Sequence, residues 1–152
     1  MRLEINGIAD GQRIPERFTC HGENISPWLR WYGFPEGTRS FALIVDDPDA
    51  PSGLYTHWLV YNIPSDVAQL AEGATSKSLL AIGILQGKNS SSHIGYFGPC
   101  PPPGKAHRYR FTLYALDFMP DLPAGANRES LNGAIKNHIL AKTRITGLYQ
   151  SN

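Results

Sequence analysis

The stretch RSFALIVD, residues 39–46, is mostly apolar and rich in residues that favour β-strands. A short apolar run of this kind, followed at once by Asp and Pro, is typical of a buried strand that ends in a turn. A second run, HWLVYNI at 57–63, ends at Pro64. Together they predict two buried strands that one loop brings side by side.

Alternating side chains mark a third strand, RYRFTLYALD at 108–117. Every second residue is apolar or aromatic, which places one face of this strand in a core. That face carries Tyr109, Phe111, Leu113 and Ala115. We also predict strands at 3–8, 29–32 and 79–85, and one helical turn at 65–72.

One late segment has helical spacing, with five residues at i, i+3, i+4, i+7 and i+8. They are Leu131, Ala134, Ile135, His138 and Ile139. Asn127 or Ser130 suits the cap, Gly147 suits the stop, and three basic residues suit the C-terminal half of the helix dipole. Those basic residues are Lys136, Lys142 and Arg144. Strands followed by one helix predict a single domain over 1–152, an antiparallel β-sandwich with one C-terminal α-helix.

The composition fits this fold and narrows the partners. Among 152 residues, Gly (15) and Pro (12) are frequent, which favours turns over long helices. The net charge is +1, and the short basic group Lys105, Arg108 and Arg110 is no basic stripe, so nucleic acid is not an expected partner. Without a secretory signal or an apolar run of membrane-spanning length, we expect a cytoplasmic monomer or homodimer.

The two cysteines, Cys20 and Cys100, lie far apart in the sequence. In a reducing compartment we expect free thiols. Their spacing leaves a disulfide open.

Asp47-Pro-Asp-Ala-Pro51 follows the first strand directly. Its two prolines fix two φ angles and remove two backbone donors, so the loop holds Asp47 and Asp49 in set directions. The simpler interpretation is a polar turn in which Asp bonds its own backbone. The Ala50–Pro51 bond is a candidate for the cis form, since cis-proline is typically found in tight functional turns.

Two histidines lie near that loop. His57 opens the second strand ten residues after Asp47, and His107 precedes the third with Tyr109 on the same face. The proline-rich loop GPCPPPG at 98–104 comes shortly before His107. Its glycines let the backbone approach a ligand closely, although a proline run can also simply stiffen a loop.

Two imidazoles, two carboxylates and a phenol suit a phosphate or small carboxylate ligand. Protonated imidazoles donate to the anion while the carboxylates orient the rings. The same residues suit a two-His, one-carboxylate metal site, and with it a metal-dependent enzyme. No G-x-S-x-G, H-E-x-x-H, P-loop or C-x-x-C motif occurs, so we expect a binding protein without a cofactor rather than an enzyme. A pure interaction domain with an idle pocket is a third interpretation.

The ordered set of DPDAP at 47–51, His57, GP at 98–99 and HRY at 107–109 resembles the phosphatidylethanolamine-binding protein family, also called Raf kinase inhibitor-like proteins. FTC at 18–20 and NIP at 62–64 are similar to its bacterial and archaeal branch. The resemblance extends over nearly the whole chain.

This resemblance implies a Greek-key sandwich of antiparallel sheets, and one pocket for phosphate-like anions and phosphorylated headgroups. By motif position, the pocket residues are Asp47, Asp49, His57, Gly98, Pro99, His107 and Tyr109. Asp47 would face the pocket and Asp49 would support the loop. The resemblance also implies regulation or inhibition of a protein kinase or serine protease, with no common catalytic activity. Tyr55, Phe97 and Lys105-Ala106 depart from the family pattern, which makes a small anion a better expected ligand than a long phospholipid.

Overall fold

The structure is a computed structural model that describes residues 1–152. In chain order its strands are β1 (Arg2–Ile5), β2 (Leu29–Tyr32), β3 (Ser40–Asp47), β4 (Tyr55–Pro64), β5 (Gln69–Leu70), β6 (Leu85–Gln86), β7 (His107–Leu116) and β8 (Ile139–Tyr149). The helices are α1 (Ser76–Leu80) and α2 (Arg128–Ile135), and Glu16–Phe18 forms a 3-10 turn. No helix is both long and apolar enough to cross a membrane.

The strands form two antiparallel sheets, which confirms the mostly β fold. The small sheet has the order β1-β2-β5 and the large sheet the order β6-β4-β3-β7-β8. The predicted strands at 39–46, 57–63 and 108–117 correspond to the three central strands of the large sheet.

The large sheet is covered on both faces. Phe41, Leu43 and Val45 of β3 belong to the core that includes the small sheet, while Ala42 and Ile44 pack with residues of α2. Every residue of β3 is therefore buried. Because a strand covered on both sides has no solvent face, its sequence shows a continuous apolar run rather than alternation.

The late helix is shorter than predicted. Asn127 caps it as expected, and Leu131 and Ile135 are buried, but the helix ends at Ile135. The residues from Ile139 onward form β8, which pairs with β7 along its length. His138 and Ile139 matched the helical spacing by coincidence, because cross-strand pairing decides the conformation of this segment.

Gly147 is not a helix stop, and Lys142 and Arg144 do not serve a helix dipole, since all three lie within β8. A Cβ at Gly147 would lie 2.5 Å from Cγ1 of Ile14. The glycine therefore lets the chain near Ile14 pack closely against the strand.

Two further local predictions are wrong. Residues 79–85 are not one strand: a capping box between Thr75 and Ser78 starts α1, and only the end of the run enters β6. Residues 65–72 contain the short strand β5 instead of a helical turn, because Gln69–Leu70 pairs with β2. Both segments contain short elements whose type is decided by a cap or by a partner strand.

Candidate functional site

A cavity of about 370 Å³ opens where β3 ends and where β4 and β7 begin. Antiparallel pairing brings these three strand ends to the same edge of the large sheet. The lining residues are Asp47, Ala50, Pro51, Ser52, Tyr55, His57, Phe97, Cys100, Pro101, Pro102, His107 and Tyr109.

Asp47 and His107 form a buried pair in this cavity. Nδ1 of His107 lies 2.7 Å from Oδ2 of Asp47, and the two residues are 8% and 3% exposed. Oδ1 of Asp47 accepts a second hydrogen bond, from the backbone N–H of Asp49. An ionised carboxylate only accepts, so the His107 proton on this side is on Nδ1. Nε2 of His107 has no hydrogen-bond partner in the protein.

His57 is held in the same way by a backbone carbonyl. Its Nδ1 lies 2.5 Å from the Phe97 carbonyl oxygen, which fixes the proton on Nδ1 because a carbonyl only accepts. The ring is surrounded by Tyr55, Phe97 and Tyr109, with centroid distances of 4.7, 6.2 and 5.3 Å. Burial lowers the pKa of His57, and the Phe97 carbonyl and the Asp47 charge offset this only in part.

Tyr109 brings an unsatisfied polar atom to the cavity. Its hydroxyl oxygen is buried and has no hydrogen-bond partner of normal geometry. Burial, and after it the charge of nearby Asp47, raises the pKa of the phenol, so it stays protonated. Asp47 is also its hydrogen-bonding neighbour, although not with normal geometry. Because buried polar groups are nearly always well paired, a poorly paired donor beside a cavity fits a ligand position there.

Asp49 supports the loop and does not line the cavity. It accepts hydrogen bonds from the backbone N–H of Arg108 at 2.9 Å and from the Arg108 guanidinium at 3.0 and 2.8 Å. The Arg108 guanidinium, followed by the Arg108 backbone N–H, lowers the pKa of Asp49 to about 2. The Ala50–Pro51 bond is trans, so the expected cis bond is wrong.

Gly98 and Pro99 also lie behind the cavity wall rather than among its lining residues. The Gly98 N–H donates to Oδ1 of Asn24, and a Cβ on Gly98 would lie 2.1 Å from the Phe18 carbonyl oxygen. The sequence thus places Gly98 where no side chain fits. Of the seven predicted site residues, four line the cavity, namely Asp47, His57, His107 and Tyr109. Ligand binding by any of the seven stays a prediction.

The expected free thiols are wrong in this structure, because Cys20 and Cys100 form a disulfide. The cysteines are 80 residues apart, with Cα atoms at 5.4 Å. Their approach follows from the fold: the Cys20 N–H donates to the Pro99 carbonyl and fastens the segment after the 3-10 turn to the proline-rich loop. Sequence spacing carries no signal for that contact.

Sequence reasoning missed an ion cluster on the opposite face of the same strand ends. Asp46 is 3% exposed and accepts from Nε of Arg110 at 2.7 Å and from Nη2 of Arg128 at 2.7 Å. Nη1 of Arg128 also reaches Oγ1 of Thr56. Alternation along the third predicted strand put Arg110 opposite Tyr109, but nothing in the sequence joined Arg128 to Asp46.

The two-His, one-carboxylate metal set does not assemble in the cavity. The group of three potential metal ligands that the structure brings together is Cys20, His21 and Cys100, within 4.8 Å of one another.

Comparison with known proteins assigns the family. The family model for "Phosphatidylethanolamine-binding protein" matches residues 4–150. The chain belongs to the phosphatidylethanolamine-binding protein family. A UPF0098 protein of Methanothermobacter thermautotrophicus is 49% identical over 150 residues, covering 99% of each chain. A UPF0098 protein of Aquifex aeolicus is 46% identical and covers 99% of this chain and 88% of the relative.

Two solved members of the phosphatidylethanolamine-binding protein family share the fold. A homologue from Chlamydia trachomatis superimposes with a TM-score of 0.89 at 39% identity, covering 99% of this chain and 97% of the other. YbcL of E. coli, described as a new member of the mammalian family, gives a TM-score of 0.91 at 34% identity and covers 99% and 98%. These similarities confirm the resemblance and the two-sheet fold.

Proposed function

We propose that the cavity binds one small anion, a phosphate, a phosphomonoester or a small carboxylate, and that the protein is a binding protein rather than an enzyme. The single observation that carries the proposal is the pair of buried histidines at one cavity, each held through Nδ1, beside the Tyr109 hydroxyl, which has no hydrogen bond of normal geometry. His57, His107 and Tyr109 all line this cavity, and imidazolium and phenol donors suit a ligand with several acceptor oxygens.

Binding of the anion requires a proton. With Nδ1 already donating to Phe97, His57 can donate from Nε2 only as an imidazolium, and burial disfavours that form. Burial removes the water that would solvate the imidazolium. The negative charge of an anion in contact with the ring stabilises the imidazolium instead. His107, whose Nδ1 is bonded to Asp47, likewise donates from Nε2 only as an imidazolium. The anion therefore binds together with a proton on each histidine that donates to it, or the ligand brings its own acidic proton.

The buried charge of Asp47 fits this arrangement. The carboxylate holds Nδ1 of His107, so a protonated His107 and Asp47 together are neutral and do not repel an anion. Arg108, by contrast, is fully engaged with Asp49 outside the cavity. The positive charge that meets the anion thus comes from the histidines, which matches the modest net charge of the chain.

Sulfate titration followed by the ring signals of the histidines tests this proposal. We expect His57 and His107 to shift with one common dissociation constant, while the exposed His93 stays unchanged and serves as an internal control. Phosphate and phosphoethanolamine titrations then compare a free anion with a phosphorylated headgroup. If the ring signals of neither His57 nor His107 shift at millimolar sulfate or phosphate, the proposal that the cavity binds an anion is wrong.

We further propose that the protein acts as a regulator of a protein kinase or serine protease. Its support is the family resemblance together with the confirmed family membership. Assays of trypsin and chymotrypsin with chromogenic substrates check the protease part. Inhibition that His107→Ala weakens would link it to the cavity, and no inhibition at micromolar protein would contradict it for these two enzymes. The cytoplasmic location stays a prediction.

A further inference from the structure

A second cluster of chemically active side chains lies at the rim of the cavity. Cys20, His21 and Cys100 each place one donor atom within 4.8 Å of the others. Cys100 also lines the cavity, whereas His21 does not. Cys20 is half-buried and the other two residues are exposed, so reductants and metal ions can reach all three.

The cluster has the composition of a known type of metal site. Two thiolates and one imidazole with a fourth position open to water form one of the ligand sets that bind Zn²⁺. Two thiolates on one tetrahedral Zn²⁺, each at about 2.3 Å, lie about 3.8 Å apart. The sulfurs therefore have to separate by side-chain rotation, which a Cα–Cα distance of 5.4 Å allows.

The histidine is held in place by its own contacts. Nε2 of His21 lies 3.0 Å from the hydroxyl of Ser151, and the ring stacks on Tyr149 with centroids 6.0 Å apart. Ser151 is itself 5% exposed. A hydroxyl on one ring nitrogen fixes the ring and leaves Nδ1 for a metal, as hydrogen-bond partners of ligating histidines do.

We propose that reduction of the Cys20–Cys100 disulfide turns this cluster into a binding site for one thiophilic divalent cation such as Zn²⁺. A dithiol reductant cleaves the S–S bond, supplies two electrons and two protons, and leaves as its own cyclic disulfide. Each thiol then gives its proton to the buffer as it ligates the metal, whose charge state does not change. The disulfide form has no free thiolate and cannot bind.

The site gives the rim of the cavity two forms of crosslink. In the oxidised protein, a covalent bond joins the segment at Cys20 to the proline-rich loop. In the reduced protein, the metal joins the same two segments through the same two sulfurs. Reduction without metal leaves the two segments joined by hydrogen bonds alone, among them Cys20 N–H to the Pro99 carbonyl and Gly98 N–H to Oδ1 of Asn24.

Anaerobic titration with Co²⁺ tests the proposal, because thiolate–cobalt charge-transfer bands and strong ligand-field bands report tetrahedral sulfur ligation. The protein is reduced with dithiothreitol, desalted and titrated in the absence of oxygen. We expect one Co²⁺ per reduced chain, displaced by Zn²⁺, and none per oxidised chain. Reduced protein that shows no thiolate–cobalt band would overturn the site.

Three variants separate this site from others. His21→Ala should weaken Co²⁺ affinity about tenfold or more, since a ligand is lost and not only a hydrogen-bond partner. Because its disulfide stays intact when oxidised, its fold can be verified before reduction. His93→Ala and His138→Ala, which alter histidines outside the cavity, should bind Co²⁺ as the wild type does. Wild-type affinity in His21→Ala, or loss of the bands in His93→Ala or His138→Ala, would contradict the proposal.

Discussion

The large sheet carries two polar clusters at the same strand ends, on opposite faces, and they differ in how completely their polar groups are paired. On one face, Asp46 is enclosed by two arginines. On the other, the Tyr109 hydroxyl has no hydrogen bond of normal geometry, and each of the two histidines is held through Nδ1. We call them the closed cluster (Asp46, Thr56, Arg110 and Arg128) and the open cluster (Asp47, His57, His107 and Tyr109).

Two residues that are adjacent in the sequence can therefore belong to different clusters, because side chains along a strand alternate between the two faces of the sheet. Asp46 and Asp47 are adjacent, yet one is held by arginines beside α2 and the other lines a cavity. A buried charge whose partners are all present contributes to structure, whereas buried donors without partners are left for something else to satisfy. Location and burial alone would not have distinguished the two clusters.

The largest expected effect is on the closed cluster. Asp46→Asn leaves Arg110 and Arg128 facing each other without a carboxylate, with side chains 25% and 22% exposed. Breaking a buried ion pair costs about 3–5 kcal/mol, and the partial exposure of the arginines reduces this to about 2–3 kcal/mol. Urea unfolding measures the loss.

Asp121→Asn is the matched control, because Asp121 is exposed and forms no salt bridge. It should change the free energy of unfolding by less than about 0.5 kcal/mol. If Asp46→Asn instead kept its stability and lost sulfate binding, the division into a closed and an open cluster would be wrong.

A smaller effect concerns the pH dependence of the open cluster. The pKa of His57 in the free protein lies below its ordinary value of 6.5 because the ring is buried, and a bound anion raises it. Binding therefore takes up a proton between these two pKa values. Sulfate affinity should rise as the pH falls, by up to about tenfold per pH unit per proton, and level off once free His57 is protonated.

Sulfate is the suitable probe because it stays a dianion between pH 5 and pH 8, about the range in which histidines titrate. Calorimetric titrations across this range give the slope. His57→Gln keeps a polar group but should flatten the slope by one proton. An affinity that is constant or falls as the pH decreases would contradict the proposed role of His57.

The sequence predicted those elements whose burial is visible in a local pattern of apolar residues. The three central strands follow from apolar runs and alternation, and their ends carry the four predicted site residues that are among the residues lining the cavity. Because Tyr109 and His107 share a strand face, their common direction was readable without knowledge of the fold.

Contacts between segments that are distant in the sequence could not be predicted from it. The Cys20–Cys100 disulfide joins residues 80 apart, and Arg128 reaches Asp46 only because α2 packs on the large sheet. The helix prediction failed at Ile139 for the same reason, since pairing with β7 overrides local spacing. Gly98 and Pro99 belong to the loop that contributes Phe97, Cys100, Pro101 and Pro102 to the cavity, but they do not line it themselves. Which side of this loop faces the cavity depends on the segment packed behind it.

The smallest expected effects come from one hydroxyl on each face. Tyr61 and Tyr109 are both buried tyrosines of the large sheet, but the Tyr61 hydroxyl donates to the Pro123 carbonyl and accepts from the Ala126 N–H. Tyr61→Phe should lower the free energy of unfolding by about 1–2 kcal/mol, because it leaves partners unpaired, and should leave sulfate affinity unchanged.

Tyr109→Phe should do the reverse. It removes a hydroxyl without a partner, so the free energy of unfolding should stay within about 0.5 kcal/mol of wild type or rise. Sulfate affinity should fall about tenfold or more, since a hydrogen bond to a charged acceptor contributes about 1.5 kcal/mol or more. Urea unfolding and calorimetry on both variants give four numbers, and the comparison requires the two losses to fall on opposite variants. Were Tyr109→Phe to lose stability but not affinity, its hydroxyl would have a structural partner and the open cluster would be closed as well.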